Sequence, residues 1–197
     1  DQVGQSFKHR FGKDATEEQV IAGIGFLLCA LGTPCIYYGT EQGFEGAGEH
    51  DANIREAMFN PDDKVSDALD KSNKIYQAIS QIAAIRKKSS VLKFGHMHMR
   101  KISTDEMHFH LPECEKCLIA FSRVLFDQEI LVAFNSSTTE EKEEYISIKR
   151  QPNIDKAFFK FLYGDTGKIK VLENPNYIGH YIKLRLRPMQ FVILGNH

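Results

Sequence analysis

The chain has 197 residues, a formal net charge of −1, 42% hydrophobic and 26% charged residues. These values suit a soluble globular protein and give no global field to draw in nucleic acid or an anionic membrane surface. No apolar run reaches the length of a membrane span, and no charged-then-apolar segment opens the chain as a signal. The length holds one large or two small cored domains. Cys29 and Cys35 lie in apolar stretches and read as small core residues rather than as a disulfide scaffold. The first residue is Asp1, not Met, and it stands inside what reads as a motif. A fragment or processed product is therefore expected, with the compartment of its parent left open.

Asp1 to Lys13 has a loop composition. Thr16-Glu17-Glu18-Gln19 fits a capping box, in which a threonine hydroxyl and a glutamine side chain satisfy free N–H groups reciprocally. Val20, Ile21, Ile24, Leu27, Leu28 and Leu31 follow at helical spacing and predict a helix over about residues 17–31. Gly23 and Gly25 weaken it, which close packing on a neighbour would explain. Gly32 is a natural stop. The run from Gly32 to Gly43 has an apolar, aromatic middle too short for a helix. It predicts a buried strand beginning at Pro34, one step of a parallel sheet that opens into a polar loop over residues 40–53. A second helix is predicted over about residues 72–88, with Ile75, Tyr76, Ile79, Ile82 and Ala83 on one face and Lys87 and Lys88 in its last turn.

Beyond Ser90 the composition changes to short apolar or alternating runs. They fall near 94–102, 107–110, 117–126, 129–135, 144–150, 158–163, 168–172, 181–187 and 190–195. Tyr181 to Arg187 alternates strictly, as a half-buried strand does. Runs at this spacing predict an antiparallel sandwich. The fold class read from the sequence is thus an α/β segment, residues 1–90, followed by an all-β antiparallel sandwich, residues 91–197.

The residues Gly32, Pro34, Tyr37, Gly39, Glu41 and Gly43, preceded by Asp1-Gln2-Val3-Gly4 and an amphipathic helix, resemble the end of the catalytic barrel in the α-amylase family of glycoside hydrolases. In that family the seventh barrel strand ends in Asn-His-Asp and the eighth carries Gly-x-Pro-x-x-Tyr-x-Gly-x-Glu. The stretches 54–59 and 120–123 are similar to family members as well. The resemblance covers essentially the whole chain and implies that residues 1–90 are the last two βα units of a (β/α)8 barrel. It also implies retaining cleavage or transfer at α-glucosidic bonds of α-glucans or related oligosaccharides. Asp1 aligns with the final Asp of Asn-His-Asp. The resemblance makes it the carboxylate that bonds sugar hydroxyls and stabilises an oxocarbenium-like transition state. The Asn and His that precede it in the family are not in the chain. The nucleophile and the acid/base carboxylate, which must stand about 5 Å apart, belong to barrel strands four and five in the family, and no carboxylate here matches either motif. The chain alone is expected to be inactive. The family's calcium sites lie largely in parts absent here, so no cofactor or metal is assigned.

Three further residues or pairs carry two readings each. Glu41 follows a barrel strand and could orient the active face, or be a structural hydrogen-bonding carboxylate. Arg55 could bind a sugar hydroxyl or form a surface salt bridge. Tyr37 and Tyr38 could stack on sugar, but strand alternation sends one into the barrel and one under the helices, so packing is expected. Two other function classes compete with the enzyme reading. One is a non-catalytic carbohydrate-binding or structural β domain. The other is a zinc-binding β domain, in which a hairpin of His96-x-His98 with His108-x-His110 converges near Cys114-x-x-Cys117. A truncated barrel also leaves the apolar faces of residues 20–38 and 75–83 in need of partners. The expectation is self-association, or ordering by docking on the β part.

Overall fold

A computed structural model describes residues 8–59, 69–113, 116–149 and 157–196. After a two-residue strand β1 (Lys8–His9) comes helix α1 (Glu17–Cys29). It starts as the sequence requires. The Thr16 hydroxyl accepts the Gln19 N–H at 3.3 Å, and the Gln19 side chain accepts the Thr16 N–H at 2.8 Å. Strand β2 (Ala47–Gly48) pairs antiparallel with β1, and a single turn α2 (Asp51–Ile54) follows. Helix α3 (Lys74–Lys88) is capped by the Asn73 side chain, which accepts the Ile75 N–H at 2.8 Å. The short α4 (Ser90–Phe94) begins on the Ser89 hydroxyl.

The rest is antiparallel sheet. A six-stranded sheet takes β3 (His96–Met99), β5 (Leu118–Leu125), β6 (Gln128–Asn135), β12 (Phe191–Asn196), β8 (Phe158–Tyr163) and β9 (Lys168–Lys170), in that spatial order. A four-stranded sheet takes β10 (Leu172–Asn174), β11 (Tyr177–Leu186), β7 (Lys142–Ile148) and β4 (Ile102–Ser103). Successive side chains of a strand face opposite ways, and β6 shows the result. Leu131 and Ala133 meet Ile146, Ile182, Leu184 and Leu186 of the second sheet, while Ile130 and Val132 meet α1, α3 and α4. The molecule is three layers: helices, a sheet buried on both faces, and a second sheet. This explains why β6 and β12 read as nearly unbroken apolar runs, whereas β11, with one face wet, alternates.

Helix α1 lies directly on β12. A Cβ on Gly25 would stand 2.7 Å from the Phe191 ring, and one on Gly23 would stand 2.3 Å from the Phe11 ring. Both helical glycines permit contact that alanine would block. The carbonyl end of α1 is held by two arginines. Arg123 of β5, only 1% exposed, donates Nη1 to Cys29 O at 2.8 Å and Ala30 O at 2.7 Å. Its Nε and Nη2 both reach Gly95 O, at 3.0 and 2.8 Å. Arg86 of α3 donates to Leu28 O at 2.7 Å, Leu92 O at 3.0 Å and Gly32 O at 2.9 Å. Cations at a helix C-terminus are favoured by its dipole, and these two also satisfy carbonyls that the helix itself leaves open. Burial, then the neighbouring Arg86, lower the pKa of Arg123 from its ordinary value. Burial pushes the Cys29 thiol up to about 12, so it stays protonated as a core residue.

One expectation fails here. Residues 33–38 form no strand and are not buried as one: Tyr37 is 46% and Tyr38 40% exposed, Cys35 is exposed, and only Ile36 turns toward the helix core. A strand exists only with ladder partners, and every strand pairing among the described residues is antiparallel and lies elsewhere. The parallel step expected from the sequence is absent among the described residues.

Candidate functional site

The polar segment after Tyr38 is built on two glycines. Gly39 (φ 78°) and Gly43 (φ 76°) bracket a 3-10 turn, Thr40–Gln42. The left-handed backbone at these points excludes most side chains. At Gly39 space excludes them too, because the Phe44 ring lies 2.3 Å from where a Cβ would be. The chain then folds back, with the Phe44 N–H donating to Gly39 O at 3.0 Å.

Arg10 ties this segment together, and nothing in the sequence singled it out. It is 7% exposed. Its backbone N–H reaches Glu45 O and Gly46 O at 3.0 and 3.1 Å. Its Nε donates to Ile54 O at 2.9 Å and its Nη1 to Tyr38 O at 2.5 Å. The guanidinium carbon lies 4.7 Å from the Tyr37 ring centre, 4.9 Å from Tyr38 and 5.3 Å from Phe44. An arginine enclosed by three rings gains cation–π attraction where water is excluded. Its Nη2 is buried without a hydrogen-bond partner among the described residues. Glu56 braces the same segment: its carboxylate accepts the Gly46 N–H at 2.5 Å and its carbonyl accepts the Tyr38 hydroxyl at 3.1 Å. Gln42 anchors it to α3, its Oε1 accepting the Asp70 N–H at 3.0 Å and its carbonyl the Asn73 side chain at 3.4 Å.

Asp1 lies outside the described residues. Arg55 caps α2 through its backbone, with an N–H to Ala52 O at 3.1 Å, and its exposed side chain has neither ion pair nor hydrogen bond among the described residues. The surface salt bridge expected as its alternative is not formed there. Glu41 is half-buried and its carboxylate has no hydrogen bond among the described residues, so the structural bonding role expected of it falls to Glu56. Tyr37 and Tyr38 do not pack inward on opposite sides. Their rings sit 4.8 Å apart, exposed, against Arg10. The signal that would have found Arg10 is three-dimensional, since its partners are 28 and 44 positions away.

The histidine hairpin also fails. Residues 96–99 pair with β5, His98 opposite Ser122, rather than with 108–110. His110 instead bridges Ile102. His108 bonds Asp105 at 2.5 Å, and the backbone N–H and ring of His108, with further bonds from Met107 and Ser103, hold that carboxyl well below the usual range. Cys114 lies outside the described residues and Cys117 is buried. Among the described residues no group of three or more His, Cys, Asp or Glu is placed to hold a metal ion.

No protein-family model matches the sequence. The intracellular maltogenic amylase of Bacillus subtilis strain 168 is 25% identical over 179 residues, which is 91% of this chain and 25% of that protein. A cyclomaltodextrin glucanotransferase of Niallia circulans is 33% identical over 88 residues, 45% of this chain and 10% of that one. Among solved structures, the gamma-CGTase of alkalophilic Bacillus clarkii superposes with a TM-score of 0.65 at 22% identity, covering 95% of this chain and 24% of that one. A debranching enzyme from Nostoc punctiforme gives 0.63 at 21% identity, over 92% of this chain and 32% of that one. The chain spans about a quarter of the length of the first of these relatives.

Proposed function

The chain's homologues and structural neighbours are α-amylase-family proteins over most of its length, and from this we propose that it is the C-terminal part of a retaining glycoside hydrolase acting on α-glucosidic bonds. Residues 1–90 are then the last two βα units of a (β/α)8 barrel and residues 91–197 its C-terminal sandwich domain. The observation that carries the reading is the similarity to a maltogenic amylase across 91% of the chain, together with the glycine-bounded turn after Tyr38. In this reading residues 33–38 are the eighth barrel strand, which acquires its ladder only beside other barrel strands. The turn at Gly39 then sets Glu41 and the 44–56 segment along the active face, and Arg10 and Glu56 keep that face in shape.

The chemistry needs a nucleophile and an acid/base carboxylate about 5 Å apart, and no carboxylate of this chain matches the family motif for either. Residues 1–197 are inactive by themselves. Asp1 is the transition-state carboxylate, bonding hydroxyls beside the reacting carbon more strongly as charge develops. Arg55 is a sugar-contacting residue of the same face. The substrate is an α-glucan or an oligosaccharide derived from one. Two measurements test this. Purified residues 1–197 should release no reducing sugar from maltooligosaccharides. In the longer protein, Asp1→Asn should lower kcat and kcat/KM together by about 100-fold or more, the mark of an interaction made in the transition state. Undiminished turnover in that variant would remove Asp1 from the mechanism.

A further inference from the structure

A cavity of about 600 Å³ opens where the starts of α1 and α3 meet the β8–β9 and β11–β12 turns. Small-molecule sites occupy about 300–1,000 Å³ and combine an apolar lining with a few placed polar groups. Here Ile21, Met189 and Phe191 supply the apolar part, and Glu18, Tyr163 and Arg187 bring polar ends.

Its walls are fixed by backbone that few sequences adopt. Gly164 has φ 86°, and the Phe191 carbonyl oxygen sits 2.1 Å from where its Cβ would be. Met189, at φ 54°, follows Pro188 in a turn closed by the Gln190 N–H to Arg187 O at 3.1 Å. Glycine is the ordinary residue at such a position, and departures of this kind gather at functional sites. Gln190 links the two walls, donating Nε2 to Gly164 O at 2.9 Å and accepting the Arg187 N–H at 2.9 Å. The cavity is shaped before any ligand arrives.

Two polar groups on these walls have unused bonding capacity. The half-buried Tyr163 packs its ring on Phe191, 6.1 Å between centres, and its hydroxyl makes no hydrogen bond among the described residues. Arg187 touches Gln190 through Nε at 3.5 Å, and neither of its terminal nitrogens has a partner among the described residues. The nearby Lys74 is already neutralised by Glu17, at 3.3 Å, and Glu18. The walls therefore combine an apolar lining with a phenol hydroxyl and a single guanidinium whose terminal nitrogens are open among the described residues. A phosphate or a multiply charged acid would call for converging cations. A neutral ring bearing many hydroxyls is the better match.

We propose that this cavity binds a short neutral α-gluco-oligosaccharide, seated against Tyr163 and hydrogen-bonded by Arg187. The choice of α-glucan rests on the enzyme reading above, while the preference for a neutral polyhydroxyl ligand stands on the cavity. The test is a titration of the 197-residue chain with maltotetraose, and separately with inorganic phosphate, followed by amide NMR. Maltotetraose should move the Gly164, Met189 and Gln190 signals. Tyr163→Phe and Arg187→Ala should each weaken binding about 3- to 10-fold; the first keeps the ring and the second alters an exposed side chain. Absence of those shifts, affinity undiminished in both variants, or shifts with phosphate alone would overturn the proposal. Neither result depends on turnover: loss of activity in Asp1→Asn with an empty cavity sinks only this site, and the converse sinks only the enzyme reading.

Discussion

Strand β6 and the run 33–38 are both short, apolar and bounded by turn residues. Strand β6 is bonded on both edges, to β5 and β12, and covered on both faces. The run 33–38 has no ladder among the described residues, and its two aromatic rings, Tyr37 and Tyr38, are exposed. The difference lies in the neighbours rather than in the residues themselves. A strand's backbone groups are satisfied by other strands, so hydrophobicity gives the demand for burial but cannot supply the pairing. What 33–38 retains is its exit, because the Gly39 turn and Phe44 are bonded within a few residues and Arg10, from earlier in the chain, clasps the Tyr38 carbonyl.

Arg123 joins the doubly covered sheet to α1. Arg123→Leu should orphan the carbonyls of Gly95, Cys29 and Ala30 and cost about 3 kcal/mol or more in urea unfolding. Thr16→Ala removes one half of the α1 capping box and should cost about 1 kcal/mol by the same measurement. Glu144, on the second sheet, has a smaller effect that depends on pH. It is 7% exposed, its Oε2 has no partner among the described residues, and burial raises its pKa despite a bond from the Leu118 N–H and the nearby Lys142 and His110. The folded protein therefore holds this proton more tightly than the unfolded one. The group's burden on stability is absent below the unfolded pKa and grows as pH rises to the folded value. Glu144→Gln should flatten that fall, by under about 1 kcal/mol, when unfolding midpoints are compared across the acid range. Smallest of all, Cys35→Ser, at an exposed position of the run 33–38, should shift stability by no more than about 0.5 kcal/mol. A loss near 3 kcal/mol there would show that the run is paired after all.

The local features were the legible ones. The Thr16–Gln19 box, the helix spacing from Val20 to Leu28 and the alternation of β11 all depend on neighbours within four positions or on one wet face. Gly23 and Gly25 gave a correct hint of close packing, though not of the partners, which are Phe11 for Gly23 and, more than 160 positions on, Phe191 for Gly25. Registers were not legible. His96 and His98 pair with β5 through a four-residue ladder, and nothing within 96–99 itself marks that partner over 107–110. Arg10 and Arg123 were hidden for a related reason: each serves backbone carbonyls, which every residue has, so no sequence pattern marks their targets. Arg123 did leave a trace, as a single charge within the apolar run 117–126.

The pair of arginines on α1's carbonyl end has a bearing on how the molecule opens. A helix usually loosens from its ends while the rest of the fold stays intact. Here the last turn of α1 cannot come loose without stripping Arg123 from the middle of β5 and Arg86 from α3. Its amide hydrogens should then trade with solvent at the pace of the whole core, and the helices and the sheet behave as one opening unit rather than as two.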